Sequence, residues 1–373
     1  SLFFIIFLSL ITSFFLNNFK NIAYILNLYL YILLHNYALF CIDINLSNFG
    51  IFCLKLSKIH IGVSMKIIVL TGGGTAGHVY PALAIREKLG KDYEVHYIGG
   101  NGMEKEIVAK DKSIVYHKID TVKLVRKLTF KNLLIPFKLI KAIREAKKIL
   151  KNIKPDCIFS KGGFVAVPVA IAGKSLKIPI ISHESDLSMG LANKIILRCC
   201  SVMCTSFEKT AETDKKCLYT GQPIRAKLFK GNKKNLSIYE KRDKNKPNLL
   251  VVGGSSGAKF INDKVLKNIE KLTKNFNVIH ITGKQVVKDA KCSGYFQVEY
   301  ADNIEDYLNL ADIVLSRAGS GAINEFLALA KPMLLIPLSK KCSRGDQIEN
   351  AKLFNSLGYA DILQEEDYDD EMF

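Results

Sequence analysis

One pattern occurs twice in this chain: a short apolar strand that runs straight into glycines and then into a helix. Ile68-Val69-Leu70-Thr71-Gly72-Gly73-Gly74 is the first copy, and Leu250-Val251-Val252-Gly253-Gly254-Ser255-Ser256-Gly257-Ala258 is the second. Glycines let the backbone come close to a ligand, and the helix start that follows offers unpaired N–H groups to an oxygen anion. Two such starts in a chain of 373 residues, long enough for two separate cores, imply two Rossmann-like α/β domains. Ligands in such sheets bind beyond the carboxyl ends of the strands, so the site is expected in the cleft between the domains.

The rest of the chain from Met65 fits that plan. Strands are predicted at Lys66–Thr71, Tyr93–Ile98, Ile114–Ile119, Asp156–Ser160 and Ile178–His183, with helical patterns at Val79–Leu89 and Phe130–Ile153 between them. A second set falls at Asn248–Val252, Val278–Thr282, Asp312–Ser316 and Pro332–Pro337. Lys230–Pro247 is rich in Lys, Asn and Asp without apolar periodicity, which is a linker composition. The expected division is an N-terminal domain over 65–229, a linker over 230–247 and a C-terminal domain over 248–373.

Residues 1–64 differ abruptly. Their only charged residues are Lys20, Asp43, Lys55 and Lys58, and their apolar stretches are either short of a membrane span or interrupted by Asn27, His35 and Asn36. No basic n-region or small-residue cleavage site marks a signal peptide. No methionine precedes Met65, and the composition is what AT-rich DNA encodes when read through. Translated upstream sequence is therefore expected here, with a membrane anchor as the alternative. The net charge of +18 favours anionic partners without choosing among nucleic acid, acidic phospholipid and phosphorylated small molecules; lysine-rich codon usage explains it equally well. The nine cysteines lack metal-ligand spacing and mostly sit in apolar runs, as free thiols do in a reducing compartment.

Several motifs can carry chemistry. Gly72-Gly73-Gly74-Thr75-Ala76-Gly77-His78 matches a dinucleotide fingerprint in spacing, but Gly99-Gly100-Asn101 stands where a ribose-binding acid belongs after the second strand. His78 at the helix start is either a general base or phosphate ligand, or a residue capping its own turn. In Ser316-Arg317-Ala318-Gly319-Ser320-Gly321-Ala322-Ile323-Asn324-Glu325, Glu325 can chelate ribose hydroxyls or simply offset the helix dipole. Asp346 and Gln347, at the start of another helix, can read sugar hydroxyls, and Asp346 can equally be an N-cap. No carboxylate pair has metal-binding spacing, so no obligatory metal and no cofactor are expected, and nothing supports a two-carboxylate glycosidase.

Taken in order, these motifs form a series with Lys161-Gly162-Gly163-Phe164, His183-Glu184-Ser185-Asp186, Gly190-Leu191-Ala192-Asn193-Lys194 and Thr220-Gly221-Gln222-Pro223-Ile224-Arg225. The series resembles the MurG family, which transfers N-acetylglucosamine from its UDP donor to lipid I to make lipid II for peptidoglycan. The resemblance runs from Met65 to about Asp367. It implies the GT-B fold, two Rossmann-like domains facing a cleft, with the donor held mainly by the C-terminal one. It also implies an inverting transfer to the C4 hydroxyl of the acceptor's N-acetylmuramic acid.

Carried over residue by residue, the resemblance implies that Glu325 holds the ribose and Gln347 the N-acetylglucosamine hydroxyls. Ser255, Ser256 and Arg225 would meet the diphosphate, and the backbone near Ala301 would face uracil. His78 aligns with the proposed base or diphosphate contact, with Thr75, Gly77 and Asp186 also on the donor side. Gly73, Gly74, Gly162, Gly163, His183 and Glu184 would form the acceptor and phosphate loops. Asp186 stands where many members carry Asn, and Gln222 where Asn usually precedes Pro223.

The implied partners are UDP-N-acetylglucosamine, lipid I and an anionic membrane surface, with no nucleic acid, and the implied location is the cytoplasmic side of the cell membrane as a peripheral protein. Val122–Pro155 mixes Leu, Ile and Phe with Lys and Arg, as interfacial segments do. Membrane docking is expected from Val125, Leu128, Phe130, Leu133, Leu134 and Phe137, although part of this stretch must pack on the sheet. The family continues into further helices beyond the position of Phe373, so the donor domain is expected to be cut short. The rival readings are a diacylglycerol glycosyltransferase, a UDP-sugar epimerase and a non-catalytic scaffold at the membrane.

Overall fold

The structure is a computed structural model describing residues 65–121, 135–254, 256–283 and 290–369, all within one compact unit of residues 60–373. The expectations for residues 1–64, for Val125, Leu128, Phe130, Leu133 and Leu134, and for Ser255 lie outside the described residues.

The first half opens with β1 (Lys66–Thr71), α1 (Ala76–Lys88), β2 (Tyr93–Gly99), α2 (Met103–Val108) and β3 (Ile114–Lys118). It continues with α3 (Ile135–Ile153), β4 (Cys157–Ser160), α4 (Ala166–Ser175), β5 (Ile180–Glu184) and α5 (Leu191–Leu197). β6 (Val202–Thr205), α6 (Glu208–Ala211) and β7 (Cys217–Tyr219) complete it. The second half contains β8 (Asn248–Val252), α7 (Lys259–Lys267), α8 (Ile269–Asn275), β9 (Asn277–Ile281) and β10 (Tyr295–Val298). It ends with α9 (Ile304–Leu310), β11 (Ile313–Ser316), α10 (Ser320–Ala328), β12 (Met333–Leu335), α11 (Asp346–Ser356) and β13 (Ala360–Ile362).

Both sheets are parallel. The first is ordered β3-β2-β1-β4-β5-β6-β7 and the second β10-β9-β8-β11-β12-β13. Strands covered on both faces read as continuous apolar runs, which is why β1 and β8 stood out in the sequence: Val69, Leu70, Leu250 and Val251 are fully buried. Each sheet reverses its winding beside its first strand, between β1 and β4 and between β8 and β11, so the loops after those strands splay apart and leave a crevice. The glycine motifs occupy those loops.

Four strands were not foreseen: β6, β7, β10 and β13 are three or four residues long, too short for periodicity to register, and are specified by pairing to a neighbour. The strand expected over Pro332–Pro337 shortens to β12, between two residues that lack a backbone donor. Residues 230–247 pack tightly against the second half: Leu236 is buried, and the Asn277 amide donates to the carbonyls of Asp243 and Lys246 at 2.8 and 3.0 Å.

Candidate active site

In the first half, the loop after β1 meets the loop after β4. Gly163 has φ +80°, and a Cβ there would lie 2.4 Å from the Gly73 carbonyl and 3.3 Å from His78 Nδ1, so only glycine permits this approach. His78 lies in the first turn of α1, half-buried, with Nδ1 3.0 Å from Thr75 Oγ1. Burial first, and then the nearby Lys161 ammonium, push its pKa down to about 4, so the ring is neutral at physiological pH. Thr75 and Gly77 are exposed on the same turn.

Beneath this turn lies a buried cation. Lys161 is 1 % exposed; its Nζ donates to His183 Nδ1 at 2.9 Å and to Ser185 Oγ. Burial lowers its pKa to about 8. His183 Nε2 in turn lies 2.8 Å from the Gly221 carbonyl, which fixes the tautomer: Nε2 carries the proton and Nδ1 accepts from lysine. Ser185 Oγ and Ser206 Oγ both donate to Gln222 Oε1, at 2.9 and 2.7 Å, which anchors the loop leading to Arg225. The Ser185 carbonyl accepts from Ser320 Oγ on α10, so the network reaches the second half. Glu184 is also consumed internally, accepting from the backbone of Asp186 and Gly190 and from Asn193 Nδ2. His183 and Glu184 thus hold the loop after β5 from within.

In the second half, the loop after β8 turns through Gly257 at φ +75°, where a Cβ would lie 2.1 Å from the Thr282 carbonyl; Ser256 is exposed on it. Glu325 on α10 pairs with Arg225, Nη2 to Oε1 at 3.1 Å, and the Arg225 guanidinium stacks 4.2 Å over the Tyr80 ring of α1. Arg225 therefore touches both halves. Its Nε is buried without a hydrogen-bond partner, a donor with unused capacity. Burial raises the Glu325 carboxyl, and Arg225 pulls it back.

Gln347 accepts from the Leu338 backbone through Oε1 at 2.9 Å, which leaves its amide NH2 to donate. Ala301 is half-buried just after β10. Asp186, assigned to the donor side, crosses to the second half, pairing with Arg344 at 2.8 Å and accepting from Asn350 at 3.2 Å. Burial pushes its pKa up to about 6, with the Glu184 and Asp346 charges adding to the rise.

Local spacing in the sequence does not mark Lys161, Glu104 or Arg344 as site residues; the neighbours folded against them do. On α3 the inner stripe Ala142, Ala146 and Leu150 is buried, while Phe137 is 71 % and Ile140 46 % exposed beside Lys138, Lys141 and Arg144. Among the described residues no helix is long and apolar enough to cross a membrane, and no three His, Cys, Asp or Glu side chains are placed to hold a metal.

Two Rossmann-like domains whose glycine-lined switch points are bridged by Arg225 define a GT-B glycosyltransferase fold. The sequence matches the glycosyltransferase family 28 N-terminal domain over residues 68–205 and the family 28 C-terminal domain over residues 248–372. Similar proteins include the UDP-N-acetylglucosamine–N-acetylmuramyl-(pentapeptide) pyrophosphoryl-undecaprenol N-acetylglucosamine transferases of two clostridia. That of Clostridium botulinum is 49 % identical over 308 residues, covering 80 % of this chain and 86 % of the relative. That of Clostridium tetani is 49 % identical over 316 residues, covering 83 % and 88 %. The crystal structure of Acinetobacter baumannii MurG superposes with a TM-score of 0.62 at 28 % identity, covering 82 % of this chain and 88 % of that one. The chain belongs to glycosyltransferase family 28 and, within it, to the MurG family.

Proposed function

We propose that the protein transfers N-acetylglucosamine from UDP-N-acetylglucosamine, with inversion, to the C4 hydroxyl of N-acetylmuramic acid in lipid I, giving lipid II. The observation that carries this reading is Arg225, a cation with an unused buried donor, set between the helix that bears His78 and the helix that bears Glu325. A sugar diphosphate spanning the cleft would meet all three. The half from 65 to 229 would receive the acceptor and the half from 248 to 373 the donor, with 230–247 joining them.

The chemistry follows from the neutral histidine. The acceptor oxygen attacks the anomeric carbon, the bond to the UDP diphosphate breaks, and the hydroxyl proton passes to His78. With Nδ1 engaged at Thr75, Nε2 is the nitrogen that takes it. Bound diphosphate raises the imidazole's basicity, since a nearby anion favours the protonated ring. Charge on the departing UDP is met by Arg225 and by the backbone N–H groups near Ser256 and at the start of α10. Glu325 would leave Arg225 for the ribose hydroxyls, Gln347 would donate to the sugar, and the backbone near Ala301 would face uracil.

The lipid-linked acceptor requires the protein at a membrane, and α3 supports peripheral docking on an anionic, cytoplasm-facing leaflet. Phe137 and Ile140 project from a helix whose outer face is otherwise basic. A hollow lined by Asn101, Lys118, Ile119, Asp120, Thr121, Lys138 and Lys141 opens beside it, with Asp120 paired to Lys141 at 2.8 Å. The test is transfer of labelled N-acetylglucosamine from UDP to lipid I in detergent micelles, with diacylglycerol as the competing acceptor. Product on lipid I alone is expected; product on diacylglycerol alone, or on neither, overturns the reading.

A further inference from the structure

Glu104 is a buried acid that the proposed reaction does not use. It projects from the six-residue helix α2, is 2 % exposed, and no Lys, Arg or His side chain bonds it among the described residues. Its carboxylate instead accepts backbone N–H groups from two different loops: Gly100, after β2, at 3.0 Å, and Gly74, after β1, at 3.5 Å. Both contacts come from donors, which suits an acid that accepts at both oxygens.

Four glycines wrap this side chain. A Cβ at Gly73, Gly99, Gly100 or Gly102 would come within 3.0, 3.2, 2.8 and 2.7 Å of it. An ordinary acid at a helix start stays in solvent and serves its own helix; this one is enclosed and reaches across to the loop that launches α1. Converging glycine N–H groups beyond the first two strands of a Rossmann-like sheet are where such folds hold a ligand's phosphate. Here a side chain of the same molecule lies in that place.

We propose that Glu104 is the resident anion of the N-terminal glycine nest. It takes the place of a phosphate there and so pins the Gly72–Gly74 turn from which His78 is aimed. Two consequences follow. The nest is closed to diphosphate, so the donor has one home, in the C-terminal half, and Gly73 and Gly74 serve the acceptor side by geometry and not by binding its phosphates. Glu104 is then a positioning residue: it touches no substrate and acts through the turn. A Cβ at Gly73 would lie 3.0 Å from the Glu104 carboxyl carbon, and one at Gly163 would lie 2.4 Å from the Gly73 carbonyl and 3.3 Å from His78 Nδ1, so the turn is enclosed between the acid and the histidine.

The test uses the full chain and two variants, Glu104→Ala, which empties the nest, and Glu104→Gln, which fills its space but is uncharged and can accept only one of the two glycine N–H groups. Calorimetric titration with inorganic pyrophosphate, at saturating UDP to block the donor site, should give binding to E104A and none to the wild type or E104Q. In the transfer assay kcat of E104A should fall about 100-fold, the scale expected when a reacting group is displaced by about 1 Å, with KM for UDP-N-acetylglucosamine unchanged. Added formate, a carboxylate small enough for the vacated nest, should restore part of kcat, which a merely structural role would not allow. The proposal is overturned if E104A melts like the wild type yet binds no pyrophosphate, or if its kcat is unchanged or does not respond to formate. Should E104A not fold, E104Q decides: a lowered kcat at constant UDP affinity supports the role, and a wild-type kcat ends it. The kinetic arm rests on the transfer reaction proposed above. The calorimetric arm does not, so the two readings can fail separately.

Discussion

Replacing Arg225 by Met should expose how the cleft is held before donor arrives. The guanidinium and the Glu325 carboxylate are 14 % and 22 % exposed and 3.1 Å apart, and the cation also covers the Tyr80 ring at 4.2 Å. Removing one partner of a fully buried pair costs about 3–5 kcal/mol, and of a surface pair under about 1 kcal/mol. This pair lies nearer the buried limit, and the ring contact adds about 0.5–1 kcal/mol. R225M should therefore lose about 3 kcal/mol, Glu325→Gln less, and the double variant about 1–2 kcal/mol less than the sum, because the two residues act as a unit.

The loss should also depend on pH. Burial already holds the Glu325 carboxyl above its ordinary value, and removing Arg225 takes away the charge that opposes the rise. A folded-state pKa above the unfolded one means that the native protein binds more protons in the interval between them, so stability falls as pH rises through it. R225M should thus be penalised more at neutral pH than under mildly acidic conditions, where Glu325 more readily takes a proton in place of its lost partner. Urea titrations of the four proteins at both pH values measure this. Additivity within about 0.5 kcal/mol, or a penalty that ignores pH, would refute the assignment of Arg225 as the carboxylate's partner. Affinity for UDP should drop about 10- to 100-fold in the same variant, through loss of a charge-assisted phosphate contact.

Three further outcomes are expected. His78→Ala should lower kcat by about 10²- to 10⁴-fold with only a modest loss of UDP binding by calorimetry; because the ring stays neutral down to about pH 4, the acid limb of kcat/KM should not have its midpoint at the ordinary histidine value. Gly163→Ala should destabilise by about 2–3 kcal/mol or more in a thermal melt, since it combines a positive φ with a collision against the Gly73 carbonyl. Phe137→Glu should release the protein from anionic vesicles in a sedimentation assay, because one side chain able to bury about 2 kcal/mol of apolar surface becomes a charge repelled by the leaflet.

The sequence displayed most clearly those parts of the fold that are locally encoded. β1 and β8 are apolar runs ending in glycine, so their place, and the switch-point loops after them, could be read directly. β10 and β13 could not, since Tyr295–Val298 and Ala360–Ile362 become strands only because β9 and β12 offer an edge to pair with. The same distinction holds for the site. Gln347 sits at a helix start and Glu325 in the second turn of a helix that a glycine motif opens, both with recognisable flanks, whereas the partner of Glu325 lies 100 residues away in Arg225. The acid missing directly after β2 has a counterpart in Glu104, a few residues on, whose carboxylate folds back to the loop. Only the folded chain shows that return.

The buried ammonium of Lys161 gives the molecule a built-in reporter. An amine-reactive ester acylates a lysine only when the nitrogen is both reachable and unprotonated. Lys161 meets neither condition fully while His183 and Ser185 enclose it, although burial leaves its pKa at about 8. The many surface lysines should react at once. Slow modification at this position, followed by peptide mass spectrometry, would time the loosening of the cleft floor, and its slowing by UDP would show how firmly the nucleotide clasps the two halves together.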